Sequence, residues 1–145
     1  MYKKKIIVTG GTDGIGLALV KRLLHYKHKV YIIGKNEQKG NKLLNTLKNP
    51  NLEFYQCDLS EKREIKKLLK NLNKLPIIDV LINNAGSVFE NRVVNNDGVE
   101  KTFALNHLSY FHLSLGLIEK LENSYDPRIV NVSSNAHKRY KIDID

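Results

Sequence analysis

The sequence predicts an α/β fold built on a doubly wound parallel sheet. Short runs of apolar, β-branched residues alternate with helical apolar patterns along the whole chain of 145 residues. No two of these runs are joined by a hairpin signal, and the first run, Ile6–Val8, ends in a glycine-rich turn that opens a helix. Because parallel strands need crossover connections, this alternation favours a parallel sheet with helices on both faces.

The strands are predicted from short apolar runs that are bounded by turn residues. They are predicted at Ile6–Val8, Lys29–Gly34, Leu52–Cys57, Ile77–Asn83 and Ile129–Ser133. The three prolines all come shortly before a predicted strand, where a missing N–H donor does no harm. No proline therefore interrupts a predicted strand.

The helices are predicted from apolar residues spaced three and four apart. They are centred on residues 14–27, on Leu43, Leu44 and Leu47, on Ile65, Leu68 and Leu72, and on a long segment from Val99 to about 121. Asn106 is predicted to lie on the apolar stripe of this long helix, seven residues before Leu113. An amide buried there needs partners, because an unsatisfied one costs about 1–3 kcal/mol.

Length and composition favour one domain, or part of one, in the cytoplasm. The chain is long enough to bury a core, and 41% of its residues are hydrophobic. No apolar run is long enough for a membrane span or a signal peptide, so we expect no membrane association. The single cysteine, Cys57, excludes an internal disulfide and fits a reducing compartment.

The net charge of +9 raises the question of a nucleic-acid partner. The lysines are spread along the helical patterns and interleaved with leucine, which favours solvated helix faces over a nucleic-acid surface. The five histidines have no metal-ligand spacing with Cys57. We therefore expect neither nucleic acid nor a metal ion as a partner.

The glycine turn after the first strand is the strongest functional signal. It reads Thr9-Gly10-Gly11-Thr12-Asp13-Gly14-Ile15-Gly16. Glycine inside a helix costs roughly 1 kcal/mol relative to alanine, so Gly14 and Gly16 need a reason. A pyrophosphate could approach the bare backbone at the helix N-terminus, where the helix dipole favours an anion. Tight packing of an ordinary strand-to-helix turn is the alternative.

The spacing Thr9-Gly10-x-x-x-Gly14-x-Gly16 resembles the short-chain dehydrogenase/reductase family, in its classical branch. The tetrapeptide Asn83-Asn84-Ala85-Gly86, placed directly after the fourth predicted strand, matches a second motif of that family. The Asn-His-Leu run that begins at Asn106 looks nearest to retinol-dehydrogenase-like and WW-domain-oxidoreductase-like members. The resemblance extends from residue 5 to about residue 137. It implies a Rossmann fold and an NAD(P)(H)-dependent oxidoreductase that interconverts a carbonyl and an alcohol by hydride transfer.

The resemblance assigns the cofactor site to residues that follow the strands, because such sheets bind ligands beyond the carboxyl ends of their strands. After the first strand these residues are Gly10, Thr12, Asp13, Gly14, Ile15 and Gly16. After the later strands they are Lys35, Asn36, Asp58, Leu59, Asn84, Ala85 and Gly86. In the family, an aspartate at the place of Asp58 accepts a hydrogen bond from the adenine amino group. The alternative is that Asp58 caps the next helix, for which Ser60 is an equally good cap.

The residue after the second strand bears on the choice of cofactor. A basic residue such as Lys35 goes in the family with NADP(H), whose 2′-phosphate it would neutralise. Two carboxylates favour NAD(H) instead: Glu37, and Asp13 at a position where many NADP-preferring members carry Lys or Arg. NADP(H) is favoured over NAD(H), with an ordinary surface lysine as the alternative for Lys35.

The resemblance also implies two catalytic residues. Ser134, the second residue of a Ser-Ser pair, would hydrogen-bond the substrate carbonyl oxygen, and Asn106 would hold a water in a proton relay. A structural amide is the alternative for Asn106. The family's Tyr-x-x-x-Lys acid–base pair is not found beyond Ser134: Tyr140 is too close to the serine, and Ile144 stands four residues after it.

The missing pair leads us to expect a C-terminally incomplete, N-terminal portion of the fold. In such a portion the fifth strand forms an open edge. The expected partner is a small-molecule carbonyl or alcohol, and a homo-oligomeric full-length form remains open. The alternative functions are a non-catalytic dinucleotide-binding module and an inactive truncated product.

Overall fold

The computed structural model describes residues 2–135, which form a parallel sheet flanked by helices on both faces. Across these residues five strands are ordered β3-β2-β1-β4-β5, and each neighbouring pair is parallel. The strands are β1 (Lys5–Thr9), β2 (Lys29–Gly34), β3 (Leu52–Gln56), β4 (Val80–Asn83) and β5 (Arg128–Asn131). The predicted doubly wound sheet is confirmed, and its strand order reverses between β1 and β4.

The helices connect the strands as the sequence predicts. They are α1 (Gly14–His25), α2 (Glu37–Leu47) and α3 (Lys62–Leu72), followed by a long helix in three parts. Those parts are α4 (Lys101–Phe103), a π-helical turn (Ala104–Leu108) and α5 (Ser109–Glu122). Within residues 2–135, none of the helices combines the length and the apolar character that crossing a membrane requires.

The core lies on both faces of the sheet because strand side chains alternate between the faces. In β1, Ile7 packs on the face that α3 and α5 cover, whereas Ile6 and Val8 pack on the face that α1 and α2 cover. These three side chains are at most 3% exposed. The central strand β1 is therefore buried on both sides, which explains its continuous apolar sequence.

Three strands are shorter than the sequence predicts, the third only by its last residue, Cys57. The fourth begins at Val80 rather than at Ile77, because the segment before it ends in a buried Asp79 whose carboxylate accepts the N–H of Lys5 at 2.6 Å. The fifth ends at Asn131 rather than at Ser133, since its neighbour β4 ends at Asn83, the pairing partner of Asn131. Strand length here is set by the neighbouring strand.

The prediction that Asn106 lies on a buried stripe is wrong. The buried residues of the long helix are Ala104, Ser109, Leu113, Leu117 and Leu121. Their first spacing is five and the others are four, because the π-helical turn inserts one extra residue. This shift leaves Asn106 exposed.

Candidate functional site

The turns after β1, β2, β3 and β4 surround a cavity of about 320 Å³ at the carboxyl edge of the sheet. Its lining includes seven of the residues that the sequence assigns to a cofactor: Gly10, Thr12, Lys35, Asp58, Leu59, Ala85 and Gly86. These residues come from four separate parts of the chain. The fold thus brings the predicted positions to one place next to the point where the strand order reverses.

The two glycines at the start of α1 are required for different reasons. A Cβ on Gly16 would stand 2.2 Å from the Gly10 carbonyl oxygen and 2.6 Å from Asn84 Nδ2, so this glycine lets the helix pack against the turn. A Cβ on Gly14 would meet no heavy atom of the described residues within 4 Å, and its φ is +51°. Packing explains Gly16, whereas Gly14 leaves an open approach to the helix N-terminus.

Asn84 ties the end of β4 to the end of β1. Its Nδ2 donates to the Thr9 carbonyl oxygen at 2.9 Å. The Thr9 hydroxyl oxygen in turn accepts the backbone N–H groups of Asn84 at 2.8 Å and Ala85 at 2.9 Å. The Asn-Ala-Gly segment is therefore held against the glycine turn.

Three further predicted residues lie around the starts of α1 and α2. Asp13 is the N-cap of α1 and accepts the Gly14 N–H at 2.8 Å, and Asn36 caps α2 by accepting the Lys39 N–H at the same distance. Ile15 is 74% exposed beside these caps. Local helix capping accounts for Asp13 and Asn36 without a ligand.

Lys35 and Asp58 form an ion pair across the cavity edge, with Nζ 2.6 Å from Oδ2. The hydrogen bond to Asp58 raises the pKa of Lys35. Burial raises the pKa of Asp58, but the hydrogen bonds from Lys35 and Ser60 outweigh burial and hold that pKa below its ordinary value. Lys35 therefore lines the cavity as one partner of an ion pair, with its side chain 70% exposed.

Asp58 does not cap α3, which corrects the alternative considered for it. The N-cap of α3 is Glu61, and in the part of the chain that the structure describes its side chain accepts no capping hydrogen bond. The Oδ1 atom of Asp58 instead accepts the Ser60 N–H at 3.0 Å and the Ser60 hydroxyl at 2.7 Å. Ser60 orients the carboxylate and is not the cap either.

A larger cavity of about 930 Å³ contains both residues predicted to be catalytic, Asn106 and Ser134, and also Asn84. Gly86 and Ser87 line both cavities, so the two are adjacent. The Tyr140 and Ile144 positions considered above lie outside the described residues.

The Asn106 side chain is paired with the backbone of Ser87 in both directions. Its Nδ2 donates to the Ser87 carbonyl oxygen at 2.9 Å, and its Oδ1 accepts the Ser87 N–H at 2.9 Å. A primary amide has two N–H groups and two acceptor lone pairs, so one of each remains for another partner. The structural role considered for the Asn106 amide is therefore observed, and one N–H group and one lone pair of the amide remain for a water.

Sequence reasoning missed Lys39 and Ser87. Lys39 pairs with Asp13 at 2.7 Å, and Ser87 holds Asn106 across 19 residues of chain. Neither has a local sequence signal, because each partner comes from another element. Among residues 2–135, no group of three or more His, Cys, Asp or Glu side chains could hold a metal ion.

Comparisons with known proteins agree with this architecture. A family model described as short chain dehydrogenase matches residues 4–143. Human (Homo sapiens) polyprenol dehydrogenase is 36% identical over 149 residues, which cover 96% of this chain and 45% of that protein. Human retinol dehydrogenase 11 is 36% identical over 139 residues, which cover 92% and 44%. The chain thus spans about half the length of the curated relatives it matches.

Solved structures share the fold at lower identity. A short-chain dehydrogenase from Sphingobium yanoikuyae in complex with NADPH gives a TM-score of 0.78 at 23% identity, with 91% of this chain and 54% of that chain covered. The bulky-bulky ketone specific alcohol dehydrogenase from Comamonas testosteroni gives 0.79 at 20% identity, with 93% and 56% covered.

Proposed function

The chain belongs to the short-chain dehydrogenase family, a family of oxidoreductases, and from this premise we propose that it supplies the dinucleotide-binding portion of an enzyme that interconverts a carbonyl and an alcohol. One observation carries the proposal: residues from four strand ends, each assigned beforehand to a cofactor, line one cavity. The dinucleotide, when bound, supplies or accepts the hydride. The residues of this chain bind and orient the reactants.

The residues around the smaller cavity fit a dinucleotide. The open side of Gly14 and the N-terminus of α1 suit the pyrophosphate, because orphan N–H groups and the helix dipole favour an anion there. Asp58, oriented by Ser60, is proposed to accept a hydrogen bond from the adenine amino group. The small residues Ala85 and Gly86 leave room for the cofactor to pass toward the larger cavity.

NADP(H) is the proposed cofactor rather than NAD(H). Lys35 places an ammonium group directly after β2, where the 2′ position of the adenosine ribose lies in this fold class. A 2′-phosphate offers that ammonium more negative charge than the Asp58 carboxylate does. The preference therefore depends on Lys35.

In the larger cavity, Ser134 is proposed to hydrogen-bond the substrate carbonyl oxygen and so to polarise it. Asn106 is proposed to hold a water through the amide capacity that Ser87 leaves unused. The substrate is proposed to be a small carbonyl or alcohol compound.

Titration calorimetry of the 145-residue chain with NADP⁺ and with NAD⁺ tests the cofactor assignment. We expect saturable binding, tighter for NADP⁺. Lys35→Ala is expected to weaken NADP⁺ by roughly tenfold and to leave NAD⁺ within about twofold, since only NADP⁺ has the phosphate. Lys42→Ala, an exposed lysine on α2, is the control. No binding of either dinucleotide would overturn the proposal, and equal losses for both would overturn the role of Lys35.

A turnover assay tests whether the 145-residue chain is active by itself. Because Tyr140 is not followed by a lysine four residues later, we expect the 145-residue chain to bind NADPH without reducing a carbonyl substrate. Measurable NADPH-dependent carbonyl reduction by this chain would contradict that expectation.

A further inference from the structure

A second, smaller cavity of about 170 Å³ lies between the start of α3, the loop of residues 95–99 and the long helix. It adjoins the cavity assigned to the dinucleotide, because Leu59 and Ser60 line both, but the two share no other residue. A dry cavity of roughly 150 Å³ holds benzene, so this one has room for a six-membered ring. Its apolar lining consists of Leu59, Ile65, Val99, Ala104 and Leu108.

The loop that forms one wall of this cavity is fixed by the buried Asn95 side chain. Its Nδ2 donates to the Ser60 carbonyl oxygen at 2.8 Å, which ties the loop to a residue 35 positions away. Its Oδ1 accepts the N–H groups of Asp97 at 3.0 Å and Val99 at 2.9 Å. The wall is therefore part of the fold, and a preformed apolar cavity with a few polar groups is typical of small-molecule sites.

The π-helical turn forms another wall, since Ala104 and Leu108 both line the cavity. Ala104 is 3% exposed and has the smallest side chain of the lining, so a larger residue at this position would occupy the space. Turns of this kind occur frequently at functional sites. The same turn carries Asn106, which lines the larger cavity.

The charged side chains at the cavity favour an anion. Lys62, the exposed first residue of α3, lines the cavity and takes part in none of the ion pairs within residues 2–135. Burial lowers the pKa of His112, and the ammonium groups of Lys62 and Lys66 lower it further, together by more than the Asp97 carboxylate raises it. The field at the imidazole is therefore positive, and the positive end of the α3 dipole adds to it.

We propose that this cavity binds a small monocarboxylate whose apolar body has about six carbon atoms. The apolar lining removes the body of the ligand from water, and the carboxylate accepts hydrogen bonds from the Lys62 ammonium and the His112 imidazole. The site lies beside the proposed dinucleotide site and is independent of it.

An NMR titration of the isotope-labelled 145-residue chain with benzoate tests the proposal. We expect saturable shifts of the backbone amides of Ile65, Val99 and Ala104, which locate the ligand in this cavity. Benzyl alcohol has the same ring without the charge and is expected to bind at least about threefold more weakly, the size of an exposed ion pair. Lowering the pH from about 8 to about 6 should tighten benzoate, because a bound anion favours the protonated imidazole of His112.

Three variants and one control examine the named contacts. Lys62→Met is expected to weaken benzoate at least about threefold and benzyl alcohol less than about twofold, since only benzoate has the charge. Lys70→Met, at an exposed position farther along α3, should change neither constant. Asp97→Asn is expected to tighten benzoate by removing a like charge. Ala104→Val is expected to fill the cavity and to weaken both probes.

Four results would overturn the inference. They are the absence of saturable shifts with benzoate, shifts centred on the glycine turn instead of this cavity, equal affinities for benzoate and benzyl alcohol, and an unchanged benzoate constant in Lys62→Met. Thermal unfolding curves show whether each variant is folded, and Lys62→Met decides the question if Ala104→Val is not. A titration of the same chain with NADP⁺ keeps the proposals apart, because a chain that binds NADP⁺ but not benzoate overturns this inference alone.

Discussion

The Thr9 hydroxyl fastens the Asn84 backbone to the end of the neighbouring strand. The hydroxyl oxygen accepts the Asn84 N–H at 2.8 Å and the Ala85 N–H at 2.9 Å, and Thr9 is fully buried. The position of the segment beneath the proposed cofactor therefore depends on one side chain from another strand. A methyl group in place of this oxygen would leave both N–H donors without their acceptor.

Thr9→Val is expected to lower the free energy of unfolding by about 1–3 kcal/mol, since shielded donors that lose their acceptor are costly. Urea unfolding followed by circular dichroism measures this change. The matched control is Thr46→Val at an exposed position of α2, expected to change stability by less than about 1 kcal/mol. Equal effects of the two substitutions would contradict the role given to Thr9.

Gly16→Ala and Gly116→Ala form a second matched pair, because both glycines lie inside helices and both have a close neighbour. A Cβ on Gly16 would strike the Gly10 carbonyl oxygen at 2.2 Å, whereas the three heavy atoms nearest to a Cβ on Gly116 all belong to the end of the Leu69 side chain. A leucine tip can move and a turn backbone cannot. We expect Gly16→Ala to destabilise the chain by about 1–3 kcal/mol and to weaken dinucleotide binding.

For Gly116→Ala we expect a change near zero, as the gain in helix propensity of about 1 kcal/mol offsets the shift of Leu69. Comparing the free energies of unfolding of the Gly16→Ala and Gly116→Ala variants tests both expectations. If Gly16→Ala leaves the free energy of unfolding unchanged, the backbone of the turn can move to accommodate a Cβ.

The Asp58 carboxylate is expected to make stability depend on pH. Its pKa is lower in the folded chain than the ordinary aspartate value of about 3.9, because the Lys35 and Ser60 hydrogen bonds outweigh burial. Such a group stabilises the fold above about pH 4, and its contribution disappears as the pH falls through the lower folded-state pKa. The stability lost in Asp58→Asn should therefore be largest near neutral pH and shrink below about pH 4.

Urea unfolding at several pH values between about 7 and 3 measures this difference. Lys35→Met is the companion variant, since removing the ammonium should reduce the pH-dependent part. A difference between wild type and Asp58→Asn that stays constant across the range would be incompatible with the ion pair as a stabilising contact.

The Cys57 thiol is expected to resist alkylation in the folded chain. Burial raises its pKa to about 12, and the thiolate is the reactive form. At about pH 8 the thiolate population should fall roughly a thousandfold below that of an unperturbed cysteine. Iodoacetamide labelling followed by mass spectrometry should be slow in buffer and fast in guanidinium, and comparable rates in both would argue against a buried thiol.

The strand ends could be predicted from the sequence because strands and glycine turns are local patterns. The pairing of Lys35 with Asp58 could not, although each residue was assigned to the site separately. Their contact depends on β3 lying next to β2, which is a property of the strand order. The pairing of Lys39 with Asp13 could not be predicted for the same reason, because Asp13 follows β1 and Lys39 lies on α2.

The environment of Asn106 was mispredicted because helical periodicity assumes a constant number of residues per turn. The π-helical turn Ala104–Leu108 adds a residue and rotates the apolar stripe away from Asn106. The spacing of apolar residues does not indicate where the backbone hydrogen bonds of a helix change register. Nothing in the local sequence indicates that the Asn106 side chain pairs with the backbone of Ser87.

The central place of β1 has a consequence during translation. Val8 pairs with Ile32 on one side and with Ile82 on the other. A ribosome that adds about 5–20 residues per second needs roughly 4–15 s to make the intervening chain, and for that time one edge of the nascent strand is unpartnered. An apolar strand exposed for seconds is a natural binding site for a chaperone, so we expect the emerging amino-terminal half to depend on such protection until β4 arrives.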